Sequence, residues 1–155
     1  MPNWVRLALV TLSIGGGFMG MTLTAGILFR HGTEPVAELL IGLIFLALYG
    51  LLILSGLILV QNRQNLKPLA AAFLLQVPVI SSPAMTYRFS GGIYTPLLFG
   101  VNGVKWFIWA GAEWYFSILR PAPVAFGFNV FAVGVFAYLV VQILRQRNPD
   151  ARSGN

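Results

Sequence analysis

PLAAAFLLQVPVISSPAMT, residues 68–86, is the stretch on which the fold turns. It carries no charge, but its apolar part, Pro68 to Ile80, is short. Crossing a bilayer core takes about 20 helical residues. Pro68 suits the first turn of a helix, where its missing N–H costs nothing. Pro78 and Pro83 kink or end a helix that contains them. Extended through Ser81, Ser82 and Met85 to Thr86, the segment is long enough to span with a kink.

On either side lie three stretches without ambiguity. Leu7 to Phe29, Leu39 to Val60 and Ala122 to Leu144 are uncharged, and charged residues flank each: Arg6 and Arg30, Glu38 and Arg63, Arg120 and Arg145. The first is longer than the roughly 7–15-residue core of a secretory signal and lacks a cleavage site, so it reads as a retained span. Positive charge decides the doubtful segment. If 68–86 crosses, then Arg6, Arg63, Lys67, Arg145, Arg147 and Arg152 all fall on one side, as the bias of basic residues toward cytoplasmic loops requires.

The expected fold is therefore an all-α transmembrane bundle of four helices over 7–29, 39–60, 68–86 and 122–144. Both termini lie in the cytoplasm, and the bacterial inner membrane is the expected location. Composition agrees: 57% of the 155 residues are hydrophobic and 9% charged. A soluble domain carries about 25% charged residues, so lipid is the expected partner of most of the exterior. The ten basic residues are scattered, without a basic run or helix face, so the net charge of +6 reads as loop charge and not as a nucleic-acid surface. The segment 145–155 is polar and expected to be poorly ordered.

The connection from about 87 to 119 is expected to form a small antiparallel β-hairpin or meander outside the membrane, packed on the span ends. Asn102-Gly103 is a two-residue hairpin signal. Val104, Trp106, Ile108 and Ala110 alternate after it, and Ile93, Thr95, Leu97, Phe99 and Val101 before it. A turn at Asn102-Gly103 pairs Val101 with Val104, Phe99 with Trp106 and Leu97 with Ile108, which puts the apolar set on one face. Tyr87 to Ser90 reads as a further strand, with a turn at Gly91-Gly92. The rival is an interfacial helix from Val104 to Leu119.

Reactive groups are few. With one histidine and no cysteine, bis-histidine haem is excluded and a zinc site disfavoured. No HExxH, GxSxG, phosphate-binding loop or dinucleotide fingerprint occurs, so no cofactor and no catalytic residue is expected. The groups that remain are weak candidates for polar or docking roles. Glu113, if buried, needs Arg88, Lys105 or Arg120 as partner. Glu38 joins Arg30, His31 and Glu34 in a charged cluster at the outer ends of the first two spans. Asn129, near the middle of the fourth span, is expected to bond across to another helix. Trp106, Trp109 and Trp114 form an aromatic belt or a docking surface. Gly16 and Gly20 form a small-residue pair for helix packing, within the chain or between copies.

These features favour a non-enzymatic membrane protein, an accessory, assembly or structural subunit acting through helix packing and an aromatic outer surface. A small channel or carrier for a neutral or weakly polar solute is the alternative. A lipid-acting enzyme using Glu113 or His31 is the third.

Overall fold

The computed structural model describes residues 1–31, 36–101 and 103–147. Helices α1 (Asn3–His31) and α2 (Val36–Gln61) come first, then the short α3 (Lys67–Leu74). Strands β1 (Pro78–Ser81), β2 (Met85–Tyr94), β3 (Pro96–Gly100), β4 (Gly103–Trp106), β5 (Trp109–Ile118) and β6 (Ala125–Asn129) follow, and β6 runs directly into α4 (Val130–Arg147). The all-α expectation is overturned: the six strands form one antiparallel sheet in the order β4-β3-β6-β1-β2-β5.

The error arose where a short apolar run can be either helix or buried strand, which periodicity alone does not separate. Pro68 does open α3, but the helix closes at Leu74 and Pro78 begins β1. Pro83 lies in the β1–β2 turn, where Ser82 Oγ accepts the N–H of Met85 at 3.1 Å. At 122–144 the first residues are strand: Ala125-Phe-Gly-Phe-Asn129 alternates small and aromatic, and only Val130 onward is helical. Three helices, α1, α2 and α4, are long and apolar enough to cross a membrane. α4 also continues through Arg145 to Arg147, into the segment expected to be unstructured.

α1 and α2 pack through small residues. A side chain at Gly17 would meet Ile53, and one at Gly20 would strike the Tyr49 ring, the close approach that holds helices together in lipid. A second cluster joins Leu9, Leu59, Leu66, Leu69, Phe73, Ala132 and Leu139. It ties α3 and α4 to the start of α1 and the end of α2, where Arg63 also donates to Asn3 Oδ1 at 3.5 Å. α4 therefore runs toward the end of the molecule where α1 begins.

The sheet does not sit on the helix ends. β2 lies against the middle of α1, because Gly16 touches the backbone of Gly91 and Gly92. It also lies against the middle of α2, where Tyr49 Oη donates to the Ser90 carbonyl at 3.1 Å. Phe45 stacks on Trp114 with ring centroids 4.5 Å apart and packs against Phe89 and Tyr87. At the far end, Arg120 donates to Glu38 at 3.2 Å.

The hairpin between β3 and β4 pairs Leu97 with Trp106, Leu98 with Lys105, Phe99 with Val104 and Gly100 with Gly103. The expected register is displaced by two residues. An even displacement keeps every side chain on its face, so the apolar set stays together. Asn102 itself lies outside the described residues. The expected turn at Gly91-Gly92 is absent, since β2 continues through both, with Gly92 at φ +129° inside the strand. The rival helix over 104–119 is replaced by β4 and β5.

Candidate functional site: a polar chamber inside a curled sheet

The edge strands β4 and β5 are linked by Phe107 and Ile108 alone. Three Cα steps reach at most about 11 Å, whereas the edges of a flat six-stranded sheet lie about 24 Å apart. The sheet must therefore curl until its edges approach at this corner. The Phe107 ring accordingly packs edge-on against Tyr94 of β2, centroids 5.8 Å apart.

Alternation then assigns each residue to one of two faces. The convex face carries Tyr87, Phe89, Trp114 and Phe116 against α2, and continues as Phe99, Val104, Trp106 and Phe126 where no helix covers it. The concave face carries Thr86, Arg88, Ser90, Glu113, Tyr115 and Ser117 on β2 and β5, and Lys105 on β4.

One rung of the ladder explains why the concave side is hollow. Gly103, Gly100, Ala125, Ser81, Thr86 and Ser117 are successive cross-strand partners through all six strands. A whole row of small side chains leaves space that large ones would fill. The next row brings Lys105, Leu98, Gly127 and Val79 together. The result is a chamber of about 200 Å³ lined by both rows except Ser117 and Gly127, with Arg88, Tyr94, Phe107 and Val124 also in the wall.

Charge in the chamber is organised around Arg88. Its Nη1 donates to Glu113 Oε1 at 2.5 Å, and its guanidinium lies 6.0 Å from the centre of the Tyr115 ring. Glu113 thus has the first of the three partners its position admitted, a diagonal neighbour across the β2–β5 ladder. Lys105 shares the chamber but has no ion-pair partner among the described residues. The Thr86 hydroxyl is buried and has no hydrogen-bond partner among the described residues.

The other candidates fall elsewhere. Asn129 is not in mid-helix. It is the residue before α4, and its Oδ1 accepts the N–H of Ala132 at 3.5 Å and of Thr95 at 3.1 Å. Its Nδ2 donates to the Ile93 carbonyl at 3.3 Å, so it caps α4 and pins the β2–β3 corner. Glu38 pairs with Arg120 at the rim of a separate recess between α2 and β5. Of its expected cluster, Glu34 and the His31 side chain lie outside the described residues. Trp114 is packed on Phe45, whereas Trp106 and Trp109 are exposed. Gly16 and Gly20 both meet neighbours within the chain.

Two supports were not foreseen. Gln76 Oε1 accepts the N–H of Gly91 at 2.9 Å, where β2 presses on α1. Met19 Sδ accepts the N–H of Ala112 on edge strand β5 at 3.3 Å. Neither long-range contact leaves a local signal in the sequence, though a lone glutamine between an apolar helix and a strand marks a polar group that needs a partner.

The fold and site define a class: apolar helices carrying a curled antiparallel sheet with a polar interior. Comparison with protein-family models, curated proteins and solved structures returned no match.

Proposed function

We propose that the chain is an integral membrane protein whose curled sheet holds a small solute in a polar chamber at bilayer depth. The carrying observation is the inversion of polarity across the sheet. Val104, Trp106 and Phe126 on the convex face are 62–63% exposed, while the facing side holds the ion pair, Lys105 and hydroxyls. Strands that alternate apolar outward and polar inward suit lipid outside and water inside.

The depth follows from the helices. If α1 and α2 cross, β2 and β5 lie beside their middles, because Gly16 and Tyr49 are their contacts. Backbone that is not helical is tolerated there when it is covered by protein or lines a wet cavity. Met19 on the edge of β5, and the closure at Phe107, support this reading. Arg88 and Glu113 neutralise one another, which favours holding a solute over transferring a proton. No catalytic step is assigned.

Adjacent residues on β4 provide the test. In vesicles, a variant with Trp106 as its only tryptophan should be quenched by lipids brominated along the acyl chain. Lys105→Cys, the sole thiol in a chain without cysteine, should react with a water-soluble maleimide. A Trp106 insensitive to bromine together with an unreactive Cys at 105 would remove the reading. A second role, as an accessory subunit, is favoured by the uncovered patch of Phe99, Val104, Trp106 and Phe126. In that case a partner protein covers the patch, and Trp106 is shielded from brominated lipid in native membranes but not in vesicles of the pure protein.

A further inference from the structure

We infer that the chamber binds a small organic monoanion, a carboxylate on a short apolar body. The inference rests on the solute reading above and adds the chemistry of the solute.

The first observation is charge. Arg88 is matched by Glu113, so Lys105 contributes the uncompensated charge among the described groups of the wall. Lys105 is an exposed residue, and one net positive charge on the chamber wall favours a solute with one negative charge. Arg88 remains useful, because its pairing to one carboxylate oxygen leaves further N–H donors on a group that has five.

The second observation is the Thr86 hydroxyl. Thr86 is 6% exposed, its Oγ1 has no partner among the described residues, and it lies on the small-residue row that hollows the chamber. Buried hydroxyls are as a rule hydrogen-bonded. One left open inside a cavity, next to a cation, fits a donor waiting for an acceptor that arrives with the ligand. The neighbouring Ser81 is already committed, donating to the Pro123 carbonyl at 2.8 Å.

Size and wall complete the description. The chamber of about 200 Å³ exceeds the roughly 150 Å³ that accommodates benzene in a protein interior, and falls short of the roughly 300–1,000 Å³ of sites for drug-sized ligands. Val79, Leu98 and Phe107 supply apolar wall beside the polar groups. Such a wall suits a body like a phenyl ring or short alkyl chain and disfavours a fully hydrated inorganic ion.

The test is calorimetry on the full chain in phosphatidylcholine nanodiscs at neutral pH, with benzoate, its neutral isostere benzamide, and inorganic phosphate as probes. Benzoate should bind saturably, and benzamide about tenfold more weakly or worse, the worth of a charged hydrogen bond. Lys105→Met should weaken benzoate by a similar factor and leave benzamide unchanged. Thr86→Val should weaken benzoate by a smaller factor. Ala125→Leu, which fills the small row, should abolish binding of both organic probes. Lys105→Gln serves as a second charge-removing variant if Lys105→Met does not fold, with near-ultraviolet circular dichroism as the check.

Benzamide binding as tightly as benzoate, or benzoate binding indifferent to Lys105, would overturn the anion inference and leave the chamber as a site for neutral solutes. Phosphate binding as tightly as benzoate would overturn the apolar body. Failure of the folded protein to bind either organic probe would remove this inference and the solute reading together, whereas a buried, lipid-facing Lys105→Cys would remove the chamber itself.

Discussion

Glu113 and Arg88 sit diagonally across the β2–β5 ladder, each about one-third exposed. At that exposure the pair is not a surface ornament worth less than 1 kcal/mol, nor a fully buried pair whose desolvation cancels its attraction. Removing one partner leaves the other charge, on a side chain about one-third exposed, without its counter-ion. Glu113→Gln is expected to destabilise by about 1–3 kcal/mol. The double variant Arg88→Met/Glu113→Gln should lose less than the two single changes summed, read by thermal unfolding in detergent. Strict additivity would show that the pair does not couple. The sequence narrowed Glu113 to three partners because so few charges are present, but choosing Arg88 needs the β2–β5 register, which no local signal encodes. Asn129 was more legible than its placement in mid-helix suggests: an asparagine immediately before a long apolar run is an N-cap signature. The uncharged stretch from Ala122 obscures it, because a run of that length reads as helix throughout.

At the scale of elements, the glycines of α1 were legible as packing surface, but their partner was not. GxxxG in an apolar helix points to another helix. Here Gly20 does receive Tyr49 of α2, but Gly16 receives the backbone of β2. An added Cβ at Gly16 would lie 2.5 Å from the Gly91 carbonyl carbon and oxygen, whereas one at Gly15 meets nothing within 4 Å. Both positions are helical, so both gain the same propensity from alanine, up to about 1 kcal/mol. Their difference isolates the contact. Gly15→Ala should be neutral or stabilising. Gly16→Ala should cost about 1–3 kcal/mol net as α1 and β2 separate and should expose the Gly91 amide to hydrogen exchange. Equal behaviour of the two variants would mean that β2 does not rest on α1. The strands themselves were half legible. Alternation placed β3 and β4 on their correct faces, even with the register off by two, because parity survives an even shift. It did not reveal β1 and β6, which are no shorter than β4 and β3 but lie inside uncharged stretches that read as spans.

At the scale of the whole molecule, the fold draws basic residues together with fewer long helices than expected. Gathering the basic residues on one side required four crossings, yet among the described residues three helices are long and apolar enough to make one. Their positions in the fold nevertheless agree. Arg63 reaches Asn3, and the cluster of Leu9, Leu59, Leu66 and Leu139 draws the ends of α2 and α4 toward the start of α1. The chain leaves that end a second time through α3, which gives way to β1 after Leu74, and returns through β6, which becomes α4 at Val130. A short helix joined to a strand (α3–β1) and a strand joined to a helix (β6–α4) thus stand where two full helices were expected, so Arg6, Arg63, Lys67, Arg145 and Arg147 lie toward one end of the molecule. Leu119, 82% exposed at the end of β5, lies beside Arg120 at the opposite end, near Glu38. Single cysteines test this path directly, because the chain has none of its own. In sealed vesicles, Asn3→Cys and Arg147→Cys should be labelled by an impermeant maleimide from the same side, and Leu119→Cys only from the other. Labelling of positions 3 and 147 from opposite sides would mean that α4 crosses alone as a third span, and would overturn the bilayer depth proposed for the strands from the contacts of Gly16 and Tyr49.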